Sequence, residues 1–429
     1  MLSRYGYPTY RHMPVYCSQA SQSQPISIQA SSAYLPYQPP MQSIETHDFA
    51  FPSAYPVPVE VEFNSRHTSM TPPPSVDLLP SGSLLTYLTE PTQPINLVRQ
   101  LTISPGRGLN NYFWWDVRNV RCWETFSLDT MSSIPGLLPL LIFGVDTTLF
   151  PQGPTLSSTV TPASEVDLAN IASKIYFPKI NAAIRLSQGS SSLSLYQAPS
   201  SDRSTGNPHF LANYTHDADR TLNGLPRGRV VGLVKSFDRW NTGMRRESPA
   251  RKVDYLNGLS HLQKCMRDHS CRYGFILTEI ELVCVRAGCD DNGQPYFGYV
   301  EVSEAIATKI AAPAPQFAAD SGTPEPVETP LTVTLALYYL LMLAKSTPLP
   351  GQPSSFMDVG GPGALTRQRI WSGMDLAENE KGKDGKDRWI PEPQMGEKRD
   401  AKRIRGWVWP HDPWHKREGN GGGKRATRA

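Results

Sequence analysis

The sequence predicts one mixed α/β domain, from about residue 105 to residue 310, set between long disordered flanks. Three observations lead there. The chain carries 40 prolines and 32 glycines in 429 residues, crowded towards both ends, so only the middle has the composition of a packed core. That middle reads in the order helix, strands, helix, strands, which is the pattern of a mixed sheet with helical crossovers. Finally, Asp290-Asp291-Asn292-Gly293 separates two strand-like runs and is a strong hairpin signal.

Residues 1–104 are rich in Ser, Gln, Pro and Tyr, with no sustained helical or strand period, and read as a disordered arm. Protein partners could engage its repeated tyrosines. Met1–Ala30 lacks an apolar segment and a cleavage pattern, so the expectation is an intracellular protein, nuclear or cytoplasmic and not secreted. The six cysteines are Cys17, Cys122, Cys265, Cys271, Cys284 and Cys289; without an export signal they read as reduced thiols. The last four, even with His261 and His269 nearby, match no common zinc spacing, and buried structural cysteine is the expected role.

Order is expected from the aromatic run around Tyr112–Phe126, whose rings need a core to pack on. The apolar stretch Ile134–Val145 is broken by proline and too short to cross a membrane, and no membrane role is expected. Ser164 can cap a helix whose stripe is Leu168, Ile171 and Ile175, with Pro178 predicted to end or kink it. Strands follow at "SSLSLYQA", "NPHFLANY" and "RVVGLVKSF". Ser248-Pro249 then starts a helix with Tyr255, Leu259, Leu262 and Met266 on one face, ahead of strands at "YGFILT", "ELVCVRAG" and "PYFGYVEVS". Residues 311–330 form a Pro/Ala linker, 331–346 an apolar helix expected to dock on the domain, and 347–429 a charged, basic, Trp-containing tail.

The stretch Pro208–Arg286 resembles the PD-(D/E)XK nuclease-like superfamily in the divergent form found in fungal proteins. "NPHFLANY", "VVGLVKSFDRW" and "HLQKCMRDHSCRYGFILTEIELVCVR" carry the likeness. It implies a restriction-endonuclease-like mixed sheet flanked by helices. It also implies a site in which one strand offers Asp after Pro and the next offers an acid, a spacer and a lysine. Acid and lysine two apart on a strand share a face. There the acids hold Mg2+ or Mn2+ and the lysine orients the attacking water. In this sequence Lys235 matches the lysine, and Glu165 matches an acid many members place in the preceding helix. Leu233 stands where the second acid belongs and His209 where the Asp belongs, so the degenerate motif is Lys235, Glu165 and His209, with no metal site assigned. Asp217, Asp219 or Asp238 could in principle replace the lost acids.

The chain also resembles uncharacterised filamentous-fungal proteins, some of them labelled sialidase. The one echo of a sialidase box, Ser236–Gly243, has no blade-length repeat, so sialidase activity is not expected. From Thr366 onward 16 Lys and Arg stand against 10 Asp and Glu. In that tail Lys398, Arg399, Lys402, Arg403 and Arg405 lie beside Trp407, Trp409 and Trp414, a pairing that can track nucleic acid, form an import patch, or strap onto the domain.

The leading expectation is a catalytically degenerate nuclease-fold protein that binds nucleic acid or a protein partner. The alternatives are an active metal-dependent nuclease with relocated acids, and a protein-interaction scaffold with no nucleic-acid role.

Overall fold

The computed structural model describes residues 81–102, 111–146, 150–151, 159–199, 206–221, 224–309, 331–353, 370–371 and 385–409. All of them fall in one compact unit; a second unit, residues 18–78, lies outside the described residues. So do most of the arm predicted to be disordered, the Pro/Ala linker and the last twenty residues.

Along the chain run β1 (Ser81–Ser83), α1 (Leu84–Thr89), a 3-10 turn (Trp114–Asp116), β2 (Asn119–Cys122), α2 (Leu128–Ser133), α3 (Leu137–Ile142) and β3 (Gly144–Asp146). There follow α4 (Glu165–Gln188), β4 (Ser194–Gln197), β5 (Phe210–Asn213), β6 (Val230–Val234), α5 (Pro249–His269), β7 (Tyr273–Leu277), β8 (Glu281–Cys289), β9 (Pro295–Val302) and β10 (Ile306–Ala307). The last two elements are α6 (Val333–Ala344) and α7 (Met395–Arg405).

The main sheet has the order β2-β9-β8-β7-β6-β5-β4, with β10 against one end of β8. β4, β5 and β6 form an antiparallel meander, and α5 carries the chain over to β7, which lies parallel to β6. β7, β8 and β9 are antiparallel in turn, and β2 closes the edge parallel to β9. A helix followed by three antiparallel strands, a crossover helix and a parallel strand thus forms the middle of the molecule. The β8–β9 hairpin turns where the sequence predicts: Asp290 N donates to Gln294 O at 3.0 Å, and Gly293 takes the left-handed φ of +75°.

β5, β6 and β7 are buried along their whole length, which is why they read as unbroken apolar runs rather than alternating ones. One face of the sheet packs Val230, Val234, Phe275 and Leu277 against α1, α4 and α6. The other packs Val231, Leu233, Ile276 and Val283 against α5 and the tryptophans of the 3-10 turn. Gly232 permits the close strand contact, since a Cβ there would lie 2.3 Å from the Phe275 ring.

α4 is set by its cap: Ser164 Oγ accepts from Asp167 N at 3.0 Å, while Asp167 accepts from Ala163 N. Of the two outcomes expected at Pro178, the helix does not end there but continues to Gln188. An internal proline costs about 3 kcal/mol. The buried Tyr176, Phe177, Ile180 and Ile184 flanking it each contribute about 1.5–3 kcal/mol, enough to offset that cost.

Order extends beyond the expected 105–310 limits on both sides. Leu84, Tyr87, Leu88, Ile95 and Leu101, placed by sequence in the arm, are buried in the core. Every residue of α6 is buried, with α4 and α1 among its neighbours. The tail is likewise no free extension over residues 385–409. Asp387 receives Val120 N and both Arg121 Nη atoms, and Trp115 Nε1 donates to Val408 O. Among the described residues no helix is long and apolar enough to cross a membrane. Cys265, Cys271, Cys284 and Cys289 are free thiols, but Cys122 is disulfide-bonded, against the expectation of reduced thiols throughout.

Candidate functional site

β6 and β7 are parallel neighbours joined by a helical crossover, so their carboxyl ends open towards the same edge of the sheet, where α/β folds place ligands. Lys235 follows β6 directly and is tied to that edge by its backbone N–H, which donates to Leu277 O at 3.1 Å. It lines a cleft of about 550 Å3, as do Glu165, Asp238, Arg239, Arg251, Asp254 and Asn257. Gln100, Tyr112, Trp240 and Gly258 complete the wall. Burial lowers the Lys235 pKa, opposed by the Glu165 and Cys265 charges.

The carboxylates around this lysine anchor the loop after β6. Glu165, at the first turn of α4, accepts from Ser236 N at 3.2 Å. Glu279, just past β7, accepts from Phe237 N at 2.8 Å and keeps its Oε1 buried with no hydrogen-bond partner among the described residues. Glu281 accepts from Thr242 N at 2.6 Å and from Thr242 Oγ1 at 3.0 Å. Asp238 accepts from Gln100 N and is bonded to Ser236 Oγ. Gln100 has a left-handed φ of +57°, unusual for a residue with a side chain, at the point where its N–H meets this carboxylate. Burial pushes Glu279 up to about 7, reinforced by the charges of Asp238 and Glu165, and burial pushes Glu281 up to about 7 as well.

The two positions that the resemblance would give to acids have structural roles. Leu233 shares its face with Lys235 but is fully buried beneath α5. It offers no ligand. His209 Nδ1 accepts from Val234 N at 3.1 Å, beyond the last β5–β6 pair at Phe210 and Gly232. The imidazole thus takes up an N–H that the ladder leaves behind. Burial, with the neighbouring Lys235 charge, holds His209 down to about 4, so it stays neutral and keeps accepting. His261, also buried, stacks on Tyr112 with centroids 4.6 Å apart and lies beside the backbone of Gly206.

Of the acids that sequence offered as replacements, Asp238 lines the cleft. Asp217 is held by Arg229 at 2.9 Å and Asp219 by Arg227 at 3.2 Å, and neither lines it. Among the described residues no group of three or more His, Cys, Asp or Glu is placed to hold a metal ion. Glu279 and Glu281 were missed by the sequence reading. They sit in "LTEIEL", and their relevance depends on β7 lying beside β6, which the sequence does not state.

The five basic residues of the tail divide. Arg405 is a buried clamp, its Nη1 and Nη2 donating to Asp116 at 2.6 and 2.8 Å while its guanidinium stacks on Trp407. It cannot also meet a phosphate, which corrects its assignment as a nucleic-acid contact. Arg399, Lys402 and Arg403 are exposed along α7, and half-buried Lys398 lies over the Trp409 ring. No family model, curated protein or solved structure matches the chain.

Proposed function

We propose that this chain is a catalytically degenerate nuclease-like protein whose cleft binds nucleic acid without cutting it. One observation carries the reading. Lys235 stands at the mouth of the parallel β6–β7 pair, while the acid two residues before it is replaced by a leucine sealed in the core. A mixed sheet flanked by helices, with α4, β4–β6, α5 and β7 at its centre, is what the resemblance implies, and supports the reading that depends on it. Exposed Arg399, Lys402 and Arg403 add a basic surface suited to phosphates.

A second reading has a specific observation behind it. Glu165 and Asp238 share the cleft with Lys235, and could replace the lost ligands of Mg2+ or Mn2+ in an active nuclease. Both acids already accept backbone N–H bonds, which favours the binding role.

Purified protein would be incubated with single- and double-stranded DNA and RNA and either metal, beside Lys235→Ala. The expected result is no cleavage above that control, with binding that weakens as salt rises, because phosphate contacts release counterions. Metal-dependent cutting abolished by Lys235→Ala would establish the second reading. Absence of salt-dependent binding would leave a protein-interaction scaffold.

A further inference from the structure

The polar groups of the cleft are unevenly satisfied. Asp238 is occupied by Gln100 N and Ser236 Oγ, Glu165 by Ser236 N, and Asp254 faces Arg251 at 3.4 Å. The Lys235 ammonium and the Arg239 guanidinium have no hydrogen-bond or ion-pair partner among the described residues. The Asn257 amide is similarly free. The cleft sets Lys235, Arg239 and Arg251 against Glu165, Asp238 and Asp254, and it is the two cations without direct bonds, together with the Asn257 amide, that can take up a ligand.

Tyr112 supplies the third element. One face of its ring is backed by His261, parallel to within 2°, while the residue also lines the cleft. A ring supported in this way is a stacking platform for another flat ring, and every nucleobase has a face to offer it. The volume of about 550 Å3 lies within the range of small-molecule sites, roughly 300–1,000 Å3.

We propose that the cleft is a nucleotide site, holding one nucleoside monophosphate unit with its phosphate on Lys235 and Arg239 and its base stacked on Tyr112. Asn257 meets the base edge, and the carboxylates of Glu165 and Asp254 accept from sugar hydroxyls. This rests on the nucleic-acid-binding reading above and names the unit that the same site receives.

The test is calorimetric titration of the full chain with adenosine 5′-monophosphate, adenosine and inorganic phosphate, in buffer containing chelator. The monophosphate should bind at least tenfold more tightly than either fragment. Tyr112→Leu should remove that advantage over phosphate, and Arg239→Ala, at an exposed position, should weaken binding several-fold. Lys235→Met should do the same, with circular dichroism to show that it folds. Equal affinity for the monophosphate and phosphate would overturn the proposal, as would unchanged binding by both Tyr112→Leu and Arg239→Ala. A salt-sensitive oligonucleotide titration separates the two levels. Oligonucleotide binding without monophosphate binding refutes the nucleotide site and keeps the wider reading; the converse supports the site and sinks the nucleic-acid role.

Discussion

Replacing Arg405 with alanine should destabilise the protein far more than a tail residue ordinarily would. The Asp116 carboxylate accepts Arg405 Nη1 at 2.6 Å, Nη2 at 2.8 Å and Phe113 N at 3.0 Å, with its side chain 1% exposed. The arginine side chain is itself 6% exposed. Removing it leaves a buried carboxylate with one backbone donor, and breaking such a pair from one side costs about 3–5 kcal/mol. Loss of stacking on Phe113 and Trp407 adds to this. Urea unfolding followed by tryptophan fluorescence would read it directly, since Trp114, Trp115 and Trp407 surround the pair. In a double-mutant cycle Asp116→Leu with Arg405→Leu should recover part of the loss, because neither member of the pair is then left alone, although buried Arg267 also loses the Asp116 charge. A cost below about 1 kcal/mol for Arg405→Ala would mean a solvated pair, and the docked strap would have to be abandoned.

Three further outcomes are expected. Glu281 has a folded pKa raised to about 7, above its unfolded value, so its contribution is fully present below the unfolded pKa and is lost as pH rises through about 7. Between pH 4.5 and 8 the wild type should lose about 3 kcal/mol relative to Glu281→Gln in urea unfolding; parallel curves would contradict the burial argument. His209 and His269, both held near 4, tilt the profile the other way but do so equally in the two proteins. Gly258→Ala would place a Cβ 2.2 Å from the Trp240 ring, so a change that normally favours a helix by about 1 kcal/mol should here destabilise by about 1–3 kcal/mol. A stabilised Gly258→Ala protein would show that Trp240 does not seal the cleft wall. His209→Ala strands the Val234 N–H and should cost about 1–3 kcal/mol; unchanged hydrogen-exchange protection at Val234 would exclude that bond.

What the sequence made legible were features that declare themselves locally. β6 and β7 are buried on both faces and read as continuous apolar runs; α5 opens on Ser248-Pro249, and the Asp-Asn-Gly turn marks its hairpin. Lys235, Glu165 and His209 converge on one end of β6 because each lies at an element boundary that the pattern located. α1 escaped notice because six residues carry too little period to register, and its burial depends on α6 arriving from 244 residues away, where Thr332 Oγ1 donates to Leu88 O. Glu279 and Glu281 stayed hidden for a related reason: strand order, rather than composition, brings them beneath the loop after β6. Arg405 misled because a buried salt bridge and a solvated basic patch have the same composition.

The reach of the Asp116–Arg405 pair, 289 residues along the chain, has a consequence for biosynthesis. A ribosome delivers the sheet with α1, α4 and α5 well before it delivers α6 or the strap, leaving the apolar ground under α6 and around Trp115 and Asp116 uncovered in the meantime. Closure then waits for long-range contacts, which form slowly. Chains released before residue 409 would present that uncovered ground to chaperones and proteases, so a premature stop late in the reading frame should reduce cellular abundance.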